Sequence, residues 1–252
     1  MTEKNDILPD WIERQATLGA NVQVDGERTE ENFYRYLLTV CCPLIFESYA
    51  ILLHPYWINF KIKDLIASGL KINENQVDEN DYKRINWIDF FKLYGYDFNL
   101  KTANQTKEKI SQQLLSGETD WPVYIWFPAE GSCETEELKF IFSKLADFYG
   151  DVEANFFYCL LKTEKWDKER IFKGKLSNFD ELEKNKDLRD NPTAIFPDNK
   201  TWCIISDYDL PFTYIGGSKK FIDNLTNNKK FDIYEIEPIF NEKEKRNIKN
   251  SE

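Results

Sequence analysis

The stretch NPTAIFPDNKTWCIISDYDLPFTYIGGSKKFIDNL, Asn191 to Leu225, decides the fold. Thr201 to Ser206 is an apolar, β-branched run entered from an Asp198-Asn199 turn, and Phe212 to Ile215 is a second run of the same kind. Between them Asp207 to Pro211 holds turn residues, whose side chains bond nearby backbone or fix φ. So short a connection predicts an antiparallel hairpin, because a parallel return needs a crossover of a dozen or more residues. Gly216-Gly217-Ser218 then opens a helix, with Ser218 as its cap and Phe221, Ile222 and Leu225 on its inner face. This unit predicts an α/β fold, α+β-like, with a mixed and largely antiparallel sheet and helices packed on it.

Upstream, Arg170 to Lys175 and Ala154 to Lys162 (ANFFYCLLK) read as strands, and Asn178 as the cap of a small helix carrying Phe179 and Leu182. Glu181 to Asp190 is a charged, solvated run. The clearest helix follows Gly131-Ser132. Its apolar face is Leu138, Ile141, Phe142, Leu145 and Phe148/Tyr149, with Glu134, Glu136 and Glu137 where the helix dipole favours negative charge and Gly150 at its end. Val123 to Phe127, between two prolines, predicts a fully buried strand. Trp87, Phe90, Phe91 and Tyr94 predict a helix capped by Asn86 and stopped by Gly95, and Thr106 to Ser116 a second one followed by Gly117. Residues 64 to 83 read as a polar loop, and Trp57 to Ile62, Phe46 to Pro55 and Tyr36 to Cys42 as strands. Downstream, Phe231 to Ile236 is the last strand. Residues 1 to 32 form a polar segment anchored by Trp11-Ile12, and 238 to 252 a polar tail. With no repeat and no recognisable linker, 1 to 252 reads as a single globular domain.

The 252 residues carry 19 Phe, 13 Tyr and 7 Trp, enough for a large aromatic core. The net charge of −11 opposes nucleic-acid binding, which needs a basic stripe, and docking on an anionic membrane. An acidic surface serves solubility, or it recognises a basic protein partner. Five cysteines without a CxxC, beside a single histidine, predict reduced buried thiols, no metal site and no cofactor. No signal peptide and no apolar run of membrane-spanning length is visible, so the expected location is the cytoplasm.

Nucleophilic catalysis would have to run through His54, in the apolar setting LLHPYW, where a hydrogen-bonded structural histidine is the competing reading. Asp207 and Asp209 place two carboxylates in a turn after a strand, suited to a cation or to acid–base work, or simply to turn chemistry. Gly216, Gly217 and Ser218 open a helix whose free N–H groups suit an anion, or form an ordinary capped junction. No P-loop or dinucleotide fingerprint is present, and no catalytic residue is assigned.

Three stretches resemble a family of bacterial proteins that has no assigned biochemical activity: Phe46-Glu47-Ser48-Tyr49-Ala50 running to Leu53-His54-Pro55, Glu130-Gly131-Ser132, and the opening stretch. In the last, Phe196-Pro197-Asp198, Trp202, Asp207, Asp209 and Thr213 to Ser218 follow the family's pattern. Asn199-Lys200 stand where a basic residue is expected directly after the acid, and Phe196 where Trp is common. The resemblance spans residues 46 to 226 and transfers no catalytic residue.

Two functions are therefore carried forward. One is a non-enzymatic cytosolic binding protein, in its sharpest form an immunity-type inhibitor of a basic toxin or effector. The other is a small-ligand or anion-binding protein or enzyme with its site at residues 207 to 218.

Overall fold

The structure, a computed structural model, describes residues 1–4, 8–12, 29–72, 77–115, 121–166 and 168–239. Most of the polar N-terminal segment, Gly117, and the tail from residue 240 lie outside the described residues. In chain order the elements are β1 (Thr2–Lys4), α1 (Phe33–Cys41), β2 (Ser48–Leu53), β3 (Tyr56–Ile58), α2 (Phe60–Ala67), β4 (Lys83–Ile85), α3 (Trp87–Leu93), α4 (Ala103–Leu114) and β5 (Ile125–Trp126). There follow α5 (Thr135–Tyr149), β6 (Glu153–Tyr158), β7 (Arg170–Lys175), α6 (Asp180–Glu183), β8 (Ala194–Phe196), β9 (Cys203–Ile205), β10 (Phe212–Gly217), α7 (Lys219–Thr226) and β11 (Ile233–Ile236). They fall into two compact units, one of residues 1–28, 34–54 and 129–252, the other of 29–33 and 55–128.

The larger unit is built on an eight-stranded sheet in the order β1-β7-β6-β8-β9-β10-β2-β11, antiparallel at every pairing. The expected hairpin is β9–β10, with Ile204 opposite Ile215. On one face Ala50, Leu52, Phe156, Ile195, Ile204 and Ile215 pack with Leu138, Ile141 and Leu145 of α5 and Phe221, Ile222 and Leu225 of α7. The other face meets α1 and Trp11: Tyr34 packs edge-on against Phe212, and Trp11 edge-on against Phe196. Strands covered on both sides read as unbroken apolar runs, which is why all six residues of β2 are buried.

Tyr36 to Cys42 is helical rather than extended. Tyr34, Leu38 and Cys41 share the buried side of α1, and the Thr39 hydroxyl donates one turn back to the Arg35 carbonyl at 2.8 Å. Leu38 to Cys41 is buried all round, and this burial in the interior outweighs the run's strand-like composition. Ala154 to Lys162 leaves the sheet at Tyr158 and turns into a short 3-10 segment, Leu160–Lys162. Asn178 closes another such segment, Phe179 holds the cap position of α6, and no side-chain cap bond forms there. At the start of α5 the Glu137 carboxylate accepts the Glu134 amide at 3.1 Å in a capping box, and Gly150 ends the helix at φ +79°.

The smaller unit has a three-stranded antiparallel sheet, β4-β3-β5, over Trp87, Phe90 and Phe91 of α3. Trp57 to Ile62 is a strand only as far as Ile58. The Asn59 side chain then accepts the Ile62 amide at 3.1 Å and caps α2, which takes up the first part of the expected polar loop. Val123 to Phe127 is extended only at Ile125–Trp126, and Trp126 is 42% exposed rather than buried. Asn86 precedes α3 without a side-chain cap bond, its oxygen being taken by Arg84. Among the described residues no helix is long and apolar enough to cross a membrane.

Candidate functional site

His54 follows β2 into the larger unit's core and is fully buried. Its Nδ1 lies 2.6 Å from the Ala129 carbonyl, which can only accept, so Nδ1 carries the proton. Nε2 therefore accepts from the Thr213 hydroxyl at 2.9 Å, and Thr213 Oγ1 accepts from the Ser206 hydroxyl at 2.8 Å. Burial pulls the imidazole down to about pKa 4, so the ring is neutral at physiological pH. Each donor and acceptor of the ring is spent on the chain itself.

Beside this relay lies Lys162, also buried. Its ammonium donates to the carbonyls of Gly131, Ser206 (3.0 Å) and Pro192 (3.5 Å), and burial lowers it to about pKa 8 despite the fields of Asp190 and Asp207. Cys133, next to Thr213, is pushed up to about 12, by burial first and then by Glu137. A thiol so raised stays protonated and is a poor nucleophile. The geometry fastens five chain segments, at 54, 129–133, 159–162, 190–193 and 206–213, into one polar knot.

Asp207 and Asp209 stand together at the rim of that knot. Asp207 is buried, and its Oδ1 accepts the Asp209 amide at 3.0 Å, the turn bond expected of such a residue. Gly216, Gly217 and Ser218 lie at the other end of β10, whose six residues span about 17 Å at 3.3–3.4 Å per residue, so residues 207 to 218 form two places rather than one. Ser218 accepts the Phe221 amide at 3.3 Å and meets the Tyr149 hydroxyl at 3.1 Å, while the Glu47 carboxylate accepts the Lys219 amide at 2.9 Å. The chain's own carboxylate thus sits where an external anion was expected. Both glycines are needed by packing: a Cβ on Gly216 would fall 2.3 Å from the Phe46 ring, and one on Gly217 2.8 Å from that of Phe221.

Outside the junction a cleft of about 500 Å³ is lined by Arg35, Glu47, Ser48, Lys219 and Glu235 among others. Its Arg35 guanidinium donates to the carbonyls of Glu237 and Pro238, and Lys219 pairs with Asp223 and Glu235. Among the described residues no group of three or more His, Cys, Asp or Glu side chains is placed to hold a metal ion.

Lys162, Ser206 and Glu47 escaped the sequence reading. A lysine closing the apolar run ANFFYCLLK was the available signal for the first. Glu47 offered none, since its role depends on the pairing of β2 with β10, which sets Ser48 opposite Gly217. Comparison of the chain with protein-family models, curated proteins and solved structures finds no match.

Proposed function

We propose that the protein is a binding protein of the bacterial cytosol whose acidic surface receives a basic protein partner, in the manner of an immunity-type inhibitor covering a toxin or effector. The observation that carries this reading is the separation of its charge. His54, Lys162 and Cys133, whose acid–base chemistry is shifted by burial, are enclosed and committed to internal bonds. Of the described acidic side chains only Glu137, Asp207 and Asp232 are buried, so the excess of carboxylates faces outward. A field of that sign steers a basic partner and raises its association rate. The five cysteines, all buried free thiols, suit a reducing compartment.

Affinity capture from the source cell at low and high salt, followed by kinetics with the purified partner, tests the proposal. A basic protein retained at low salt, with an association rate that falls as salt rises, supports it. If the low-salt fraction contains no basic protein, the inhibitor reading is wrong.

A further inference from the structure

We infer that the cleft between the Glu79–Tyr82 turn and the Trp121–Trp126 segment of the smaller unit receives the cationic end of a lysine or arginine side chain presented by a protein partner. The inference rests on the basic-partner reading and says where on the molecule such a partner is gripped.

The cleft measures about 300 Å³. That is the lower end of the range for small-molecule sites, so it suits one long side chain rather than a nucleotide or cofactor. Its walls are aromatic. Tyr82 and Trp126 stack with centroids 3.9 Å apart and planes 16° from parallel, and Trp121 lines the same space. The stack uses one face of the Trp126 indole, which is still 42% exposed. Tyr82 is held by its hydroxyl, which donates to the Val123 carbonyl, so the aromatic wall is fixed before anything binds. Fixed aromatic faces attract cations through the ring quadrupole, and most strongly when the ring is Trp.

Glu79 supplies the complementary charge at the edge of the cleft. Its neighbours in the turn are occupied: Asp78 accepts from the backbone and side chain of Asn80, and Asp81 faces Lys61 at 3.9 Å. Among the described residues no lysine or arginine pairs with Glu79, and none lies over Trp126. Elsewhere the exposed Trp166 is met by a cation of the chain's own, the Arg189 guanidinium, 5.7 Å from the ring centroid. At Trp126 the aromatic and the carboxylate are both present and the cation is the piece left for a partner. A purely apolar guest would leave Glu79 without a role, and an anion would be repelled by it.

The test uses the full chain and two capped tripeptides, Gly-Arg-Gly and the neutral Gly-Gln-Gly, followed by the tryptophan indole N–H signals. The arginine peptide is expected to shift Trp126 and Trp121, and the neutral one to leave them in place. E79Q should weaken the arginine peptide about fivefold and W126A about tenfold; W126F, which keeps a ring, should fall between. Near-ultraviolet circular dichroism verifies that each variant is folded. Equal shifts by both peptides, no shift at all, or variants that bind like the wild type would overturn the inference. The two proposals fail separately. A basic partner captured equally well by wild type, E79Q and W126A removes this site and leaves the binding function. Peptide binding with no basic partner captured keeps the site and removes the inhibitor.

Discussion

The Glu47 carboxylate accepts the Lys219 amide at 2.9 Å, across 172 residues of sequence, and closes the first turn of α7 from outside the helix. Ser218 answers the Phe221 amide, so the positive end of the helix is met by one hydroxyl and one negative charge of the same chain. E47A should lower stability by about 0.3–1 kcal/mol in urea unfolding, the range for a charge at an exposed helix end. E47Q keeps an acceptor and should lose less. An unchanged midpoint in E47A would mean that water replaces the carboxylate without cost.

His54 makes the stability pH-dependent in a direction fixed by its burial. The folded ring accepts a proton only near pH 4, whereas the unfolded one does so near the ordinary imidazole value of 6.5. As pH falls from 6.5 to 4 the unfolded chain gains a proton that the folded chain refuses, so stability declines across that window, by about 3 kcal/mol. Above pH 6.5 this group contributes no slope. As the chain's single histidine, it gives one ring signal whose titration can be followed directly. H54N should flatten the stability profile between pH 4 and 6.5. A ring that titrates near 6.5 in the folded protein would refute the argument.

The hairpin and the helix after it were legible because local chemistry and tertiary demand agree there. Asp207 makes its turn bond, Ser218 caps α7, and the β9 and β10 runs are buried on both faces. Tyr36 to Cys42 reads as a strand because a continuous apolar run suits a buried strand and a buried helix alike, and here Leu38 to Cys41 is buried all round in the last turns of α1. The polar knot was half visible. His54 could be placed in an apolar setting, but its partners Thr213 and Ser206 reach it only through strand pairing, and Lys162 only through a turn that carries it under Gly131. At Gly216-Gly217-Ser218 the sequence leaves open free N–H groups for an anion or an ordinary capped junction, because it shows neither the Glu47 carboxylate at the Lys219 amide nor the Phe46 ring lying over Gly216.

Lys162 should be the costliest single removal in the knot. K162M keeps the length and apolar stem but leaves the Gly131 and Ser206 carbonyls buried without their donor, a loss of about 2–4 kcal/mol. Its lowered pKa gives a second readout. The unfolded lysine holds its proton to about 10.5 and the folded one to about 8, so this group adds stability as pH rises between those values. The gap between wild type and K162M should therefore widen by about 2 kcal/mol from pH 7.5 to 9.5. A constant gap would show that Lys162 titrates alike in both states.

Gly216 separates the packing account of the glycine pair from the ligand account. G216A puts a methyl 2.3 Å from the Phe46 ring, which is itself held edge-on between Trp11 and Tyr49. Overpacking of this kind costs about 1–3 kcal/mol. In an F46A background the ring is gone, and the cost of G216A should shrink toward zero, giving a favourable coupling in the double-mutant cycle. If the glycine instead left room for a ligand, G216A would be nearly neutral in the isolated protein and the two substitutions would add. Urea unfolding of the four proteins in the cycle decides between them.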